Sequence, residues 1–114
     1  MNDCIFCKIL KNEIPSTEVY SDEYVYAFRD INPQADTHIL VIPRTHIDSV
    51  ADITASNSME AARCMEAIAK IAVQEGLIEK GFRIISNSGA GAGQSVLHLH
   101  FHILSGANLS EKLI

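Results

Sequence analysis

The sequence carries little positive charge. It has 9 lysine and arginine residues against 14 aspartate and glutamate residues, which gives a formal net charge of −5 at pH 7. A protein that binds nucleic acid non-specifically is usually basic, so this balance argues against a nucleic-acid partner. It does not exclude a small anionic ligand, because such a ligand needs only a few local hydrogen-bond donors.

Long apolar runs are also missing. No stretch approaches the roughly 20 apolar residues that a membrane-spanning helix requires, so we expect no membrane partner. The N-terminal segment "MNDCIFCKIL" is too short and too polar for a signal peptide. These two absences predict a cytoplasmic protein.

Cysteine is scarce, with three residues in a chain of 114. In a cytoplasmic protein so small a number indicates metal binding, reactivity or simple packing, and not a disulfide framework. No internal repeat, block of like charge or low-complexity linker interrupts the chain. We therefore expect a single domain over residues 1–114.

The hydrophobic pattern predicts strands, one helix and then further strands. "EVYSDEYVYAFRD" has the pattern of a hairpin, and the later strands are "THILVIP", "FRIIS" and "VLHLHFHIL". A long helix is expected near residues 57–75, with Asn57 and Glu60 at capping-box spacing and Gly76 as its stop. Most connections between neighbouring strands are too short for parallel crossovers. We therefore expect an α+β fold in which the helix covers one face of an antiparallel sheet.

The predicted helix has one apolar stripe. Its members recur at three- and four-residue spacing, which places them on the side of the helix that faces the core. The expected stripe consists of Ala61, Cys64, Met65, Ile68, Ile71 and Ala72.

Three of the five histidines stand at alternate positions in "HLHFHIL". On a strand, His98, His100 and His102 share one face, with Cβ atoms about 6–7 Å apart, and the intervening apolar residues face the core. The residues themselves leave three interpretations open. In the first, the face is exposed and has no chemical role. In the second, it binds a metal ion. In the third, one histidine attacks phosphorus while an acceptor holds its second ring nitrogen.

The loop "SGAGAGQS" directly precedes the histidines. Its small residues allow backbone N–H groups to approach an anion closely. It is not a P-loop, because no lysine follows the last glycine and a strand is predicted where a helix should begin. A glycine-rich run alone is typical of a flexible hairpin loop, but its position beside the histidines favours a phosphate cradle.

These motifs together resemble the histidine triad (HIT) family. "HLHFHIL" fits the signature of alternating histidines and apolar residues, and "GQSVLHLHFH" with Asn87 upstream is similar to the Hint-like branch. The segments "CIFCKILKNEIPSTEVYSDEYVYAFRDINPQADTHILVIPRTHIDSV" and "GFRIISNSGAGAGQS" also resemble the family. The likeness covers roughly residues 4–105 in order, so a chance match of one motif does not explain it.

The resemblance implies a HIT-like fold with an antiparallel sheet of about five strands and one long helix, joined across a two-fold homodimer. It implies a hydrolase that cleaves purine nucleoside phosphoramidates or related adenylyl compounds at the α-phosphorus, through a nucleotidyl-histidine intermediate. No organic cofactor is implied. The alternatives are a dinucleoside polyphosphate hydrolase, a nucleotidyl transferase, or a nucleotide-binding regulatory protein with little turnover.

The resemblance also assigns roles to individual residues. His100 is the expected nucleophile, with His102 on the phosphate and His38 close by. Ser95 is expected beside the phosphate and the leaving group, and Asp30 is expected on the ribose hydroxyls. Further phosphate contacts are expected from Asn87 and from the N–H groups near Gly93 and Gln94. The expected apolar slot for the base consists of Ile5, Phe6, Ile9, Ile14, Phe28 and Ile31.

"CIFC" places Cys4 and Cys7 at the spacing of a zinc clip, but two ligands make only half a site. The other interpretations of the pair are a redox dithiol and two buried apolar cysteines. In zinc-bearing members of the family the pair is completed by the equivalents of His46 and His98, which implies a structural zinc site here. A further alternative is that the histidine triad itself chelates zinc.

Overall fold

The computed structural model of the chain describes residues 4–106 and 109–110. Eight regular elements follow one another along this part of the chain. They are α1 (Ile5–Leu10), β1 (Glu18–Ser21), β2 (Val25–Arg29), β3 (Thr37–Pro43), α2 (Ser58–Gln74), α3 (Leu77–Lys80), β4 (Arg83–Ile85) and β5 (Phe101–Ser105). Short 3₁₀ turns lie at Val50–Asp52 and Ala90–Ala92.

The strands form one five-stranded sheet in the order β1-β2-β3-β5-β4. Every neighbouring pair is antiparallel, and β3 is the central strand. This confirms the predicted α+β architecture with one long helix, α2. No helix among the described residues has the length and apolar character to cross a membrane.

From Ile39 to Pro43, strand β3 is apolar because both faces of the sheet are covered. Ile39 and Val41 lie in the larger core, between the sheet and α2. Leu40 and Ile42 point the other way and pack with Phe6 in a smaller core beneath α1. Since successive strand residues alternate between faces, a single strand supplies both cores. The smaller core lies on the face that carries the histidines.

Helix α2 has the predicted extent to within one residue at each end, and Gly76 ends it in a left-handed conformation with φ of 71°. Two details of the prediction are wrong. Met65 is 44% exposed, and Ala67 is fully buried in its place. Asn57 makes no side-chain cap, because its Oδ1 accepts from the Thr54 N–H in the preceding turn at 2.7 Å.

The predicted strand "VLHLHFHIL" is shorter than expected, since β5 begins only at Phe101. The N–H of His98 donates to the carbonyl of Val96, which bends the chain just before the strand. The N–H of Leu99 instead donates to the carbonyl of Ile47, outside the sheet. Alternation nevertheless persists through this segment. Leu99 and Phe101 are buried in the larger core, and His100 faces away from it.

Candidate active site

A cavity of about 460 Å³ lies on the α1 side of the sheet. Most of the residues that the sequence predicted for a nucleotide site line it: Ile5, Phe6, Ile9, Ile14, Phe28, Asp30, Ile31, His38, Ser95, His100 and His102. Asn87, Gly93 and Gln94 do not line it. The fold therefore brings the predicted apolar slot, carboxylate and histidines together, and leaves out part of the predicted phosphate loop.

One end of the cavity is apolar. Phe6 on α1 meets Phe28 on β2 edge to face, with ring centroids 5.6 Å apart. Ile9 is buried beside them, whereas Ile31 is 89% exposed at the rim. A flat, mostly apolar ligand group fits such a lining, because aromatic and aliphatic side chains bury it without needing polar partners.

His100 is buried, and its ring orientation is fixed by the backbone. Its Nδ1 lies 2.7 Å from the carbonyl oxygen of His98. A carbonyl only accepts, so Nδ1 carries a proton, and a neutral ring then has its lone pair on Nε2. The ring also meets Phe6 edge to face at 5.1 Å. The structure thus favours the Nδ1-protonated tautomer of the ring, which is the tautomer that a nucleophile acting through Nε2 requires.

A chain of hydrogen bonds also fixes the tautomer of His102. The backbone N–H of Gln34 donates to Nδ1 of His38 at 3.0 Å, so the His38 proton must sit on Nε2. That Nε2 lies 2.8 Å from Nδ1 of His102 and donates to it. His102 therefore carries its own proton on Nε2, as a neutral donor. Burial, followed by the neighbouring His100 and His38 rings, lowers the pKa of His102 to about 4.

Asp30 stands at the edge of this histidine pair. Its Oδ1 accepts from the N–H of Asn32 at 2.7 Å, and its Oδ2 lies 3.5 Å from Nε2 of His38. Asp30, His38 and His102 have ligand atoms within 4.8 Å of one another. The proton on His38 Nε2 nevertheless argues against a cation here. Asp30 retains acceptor capacity for hydroxyl groups.

The glycine-rich loop differs from the predicted cradle. The N–H groups of Gly93 and Gln94 donate back to the carbonyls of Ala90 and Gly89, within the 3₁₀ turn. Among the described residues, the N–H groups of Ser95 and Val96 make no hydrogen bond, and both residues line the cavity. The donors available to an anion therefore lie one or two residues later than the glycine pattern indicated.

A second cluster joins α1 to the segments before and after α2. Cys4, Cys7, His46 and His98 have ligand atoms that all lie within 4.8 Å of one another. Cys4 Sγ is 3.3 Å from His98 Nδ1, and Cys7 Sγ is 3.3 Å from His46 Nδ1 and 3.5 Å from His98 Nδ1. A tetrahedral zinc ion holds neighbouring sulfur and nitrogen ligands about 3.5 Å apart. The donor set and its spacing fit zinc.

The outer partners of this cluster also suit a metal ion. His98 donates from Nε2 to the Pro43 carbonyl at 3.0 Å, and His46 donates from Nε2 to the Asp48 carboxylate at 2.8 Å. In both rings the Nδ1 lone pair therefore faces the sulfurs, as metal-binding histidines require. Burial lowers the pKa of His98 to about 4, which keeps its ring neutral.

Helix α1 links the two sites, because its two sides carry different residues. Cys4, which caps the helix by accepting from the Cys7 N–H at 3.3 Å, and Cys7 itself lie on the cluster side. Ile5, Phe6 and Ile9 line the cavity. The helix spans only six residues.

The fold, the histidine-lined cavity and the Cys/His cluster together define the class of protein. A family model described as the HIT domain matches residues 11–109, so the chain belongs to the HIT family. A HIT family hydrolase from Clostridium thermocellum has the same fold, with a TM-score of 0.96 and 46% sequence identity over 100% of this chain and 99% of that one.

Curated relatives narrow the comparison. The chain is 48% identical over 111 residues to the purine nucleoside phosphoramidase of Escherichia coli strain K12, covering 97% of this chain and 93% of that relative. It is also 44% identical over 108 residues to the 14 kDa zinc-binding protein of Zea mays, covering 93% of this chain and 84% of that relative.

Some cavity residues were not foreseen from the sequence. Gln34 acts through its backbone N–H, which residue type does not reveal. Ser16 lines the cavity and hydrogen-bonds the Tyr26 hydroxyl at 2.6 Å, and Val96 also lines the cavity. A polar residue at the end of a predicted apolar slot, as in "IPST", is the one signal that would have indicated Ser16.

Proposed function

We propose that the chain is a nucleotide hydrolase that cleaves purine nucleoside phosphoramidates, or related adenylyl compounds, at the α-phosphorus. The observation that carries the proposal is the His100 ring. Its Nδ1 is held on a backbone carbonyl at 2.7 Å, in a cavity with an apolar slot at one end and a carboxylate at the other. The similarity to the Escherichia coli phosphoramidase supports this choice of substrate class.

In the proposed reaction, Nε2 of His100 attacks phosphorus and forms a P–N bond as the bond to the leaving amine breaks. The positive charge that develops on the ring is stabilised through Nδ1–H and the His98 carbonyl. The leaving amine takes up a proton, a step in which we assign the Ser95 hydroxyl as the adjacent donor. Water then displaces the nucleotide from His100, gives its proton back to Ser95, and leaves the neutral ring ready for the next cycle.

The remaining residues bind and orient the nucleotide. His102 donates from Nε2 to a phosphate oxygen, and the N–H groups of Ser95 and Val96 contact the others. Asp30 accepts from the ribose hydroxyls. The base occupies the apolar slot that Phe6 and Phe28 line.

We also propose that Cys4, Cys7, His46 and His98 hold a structural zinc ion. Bound zinc would supply cross-linking between α1 and the segments that carry the two histidines, and no step of the reaction passes through it. The fit of the donor spacing and the similarity to the maize zinc-binding protein support the choice of zinc.

Incubation with adenosine 5′-phosphoramidate tests the function. We expect release of AMP, and an increase in protein mass by one adenylyl group after a rapid quench. His100→Ala should abolish the adduct and lower turnover by more than about a thousandfold, while AMP binding largely remains.

AMP binding without turnover by the wild type would instead favour a regulatory protein. Preferential cleavage of a dinucleoside polyphosphate would change the substrate. Loss of metal in His100→Ala would indicate that the triad chelates it.

A two-fold homodimer with a sheet continued across the interface is part of the proposal. Within the described residues β4 pairs only with β5, so its other edge presents backbone donors and acceptors to a second copy. Light scattering after size-exclusion chromatography should give the mass of two chains. A cytoplasmic location stays a prediction from the sequence.

A further inference from the structure

Gln94 is buried in a loop whose neighbours are exposed. Only 9% of its surface is accessible, whereas Gly93 and Ser95 on either side are exposed. Its side chain does not face the cavity. A glutamine that is nine-tenths buried needs polar partners, and these partners show what the side chain does.

The amide of Gln94 makes three hydrogen bonds. Its Oε1 accepts from the N–H of Gly89 at 2.7 Å, and its Nε2 donates to the carbonyls of Asp48 at 2.7 Å and Val96 at 3.0 Å. The first bond closes the start of the glycine-rich loop onto its end. The bond to Asp48 fastens the end of the loop to a separate segment of the chain, and the bond to Val96 lies within the end of the loop itself.

That segment, residues 46–48, is hydrogen-bonded to the stretch of chain that carries His100. The carbonyl of Ile47 accepts from the Leu99 N–H at 2.6 Å, one residue before His100. His46 is a member of the cluster with Cys4, Cys7 and His98, and the Asp48 carboxylate accepts a hydrogen bond from the His46 ring. The segment therefore contacts both the chain that carries His100 and, through Gln94, the loop that carries Ser95 and Val96.

We propose that Gln94 is a positioning residue that sets the phosphate-facing N–H groups of Ser95 and Val96 relative to the His100 ring. This inference rests on the proposed function, because it specifies how that site holds a phosphate. Without the Gln94 amide, the Gly89 N–H and the Asp48 carbonyl lose their partner, and the loop loses its attachment to the wall behind His100. The apolar slot and Asp30 do not depend on this link.

The substitution Gln94→Met tests the proposal, because methionine keeps the length of the side chain and removes its hydrogen bonds. The affinity for AMP should fall about tenfold, and the affinity for adenosine, which lacks the phosphate, should stay within twofold of the wild type. Calorimetric titration measures both. Gln74→Met is the matched control. Gln74 donates to the Val19 carbonyl at 2.9 Å on α2, away from the cavity, and its loss should change neither affinity.

Amide exchange measured by NMR gives a second result that does not depend on nucleotide binding. The Gly89 N–H should be protected in the wild type and in Gln74→Met, and should exchange faster in Gln94→Met. Equal loss of AMP and adenosine affinity would overturn the proposal, because it would indicate general damage. Unchanged AMP affinity or unchanged Gly89 exchange would also overturn it. A wild type that binds neither ligand but protects Gly89 would refute the proposed function, and would leave the link from Gln94 to the loop standing.

Discussion

The low pKa of His102 gives a prediction that separates two chemical roles for this ring. With a pKa of about 4, only ~3% of His102 carries a charge at pH 5.5, against about 90% for a histidine at its ordinary value of about 6.5. In the free protein the ring is therefore a neutral Nε2–H donor in the wall of the cavity. Long-range nitrogen–proton NMR spectra of the ring should show the Nε2-protonated neutral tautomer from pH 7 down to about pH 5.

The same pKa predicts how stability depends on pH. The folded pKa lies below the unfolded value, so the unfolded state binds more protons between about pH 6.5 and pH 4. The contribution from neutral His102 is complete above pH 6.5 and is lost as the pH falls towards 4. Its slope is at most about 1.4 kcal/mol per pH unit, and less in practice because solvent screens a half-buried ring. Urea unfolding of wild type and His102→Gln should show the flatter slope in the variant. A ring midpoint near 6.5, or a predominantly Nδ1-protonated ring, would refute the tautomer chain that begins at the Gln34 N–H.

Three further predictions concern the cluster, the core and the ribose contact. Elemental analysis of untagged protein should show that Cys7→Ser loses bound zinc. The control Cys64→Ala removes a buried thiol away from the cluster and should keep the zinc. A folded, metal-free wild type would contradict the zinc assignment. Ile71→Ala, at a fully buried position, should lower the free energy of unfolding by about 2–5 kcal/mol in urea titrations, and the exposed Val73→Ala by less than about 0.5 kcal/mol. Asp30→Asn should bind adenosine about tenfold more weakly but 2′,3′-dideoxyadenosine as the wild type does, and an equal loss for both ligands would argue against a hydroxyl contact.

Alternation and helical spacing accounted for much of the fold, because both report which side of an element is buried. The pattern of "THILVIP" predicts a strand, and β3 supplies both cores from alternate residues. The spacing of Cys64, Ile68 and Ile71 placed the buried side of α2 correctly. His100 and His102 line the cavity, whereas His98 lies in the cluster with Cys4 and Cys7, and both His98 and His100 precede the strand proper.

Backbone hydrogen bonds in loops could not be predicted from residue types. The pattern "SGAGAGQS" indicates which residues allow close approach, but not which way each N–H points. Gly93 and Gln94 direct theirs into the 3₁₀ turn. Asn57 failed as a cap for a similar reason, because the Thr54 N–H competes for its side chain. In the loop, backbone carbonyls accept from the N–H groups that the sequence assigned to an anion. Before α2, the Thr54 N–H donates to the side chain that the sequence assigned to the helix cap.

The two-sided character of α1 has a consequence for substrate selection. A helix of six residues is too short to be stable alone in water, so its place depends on what holds its ends and sides. Cys4 and Cys7 attach one side to the cluster, and Phe6 and Ile9 form the wall of the slot on the other. If the cluster holds zinc as proposed, the width of the slot would therefore be set from the far side of the helix. A change in metal binding at Cys4 and Cys7 would then alter which ring systems fit the slot.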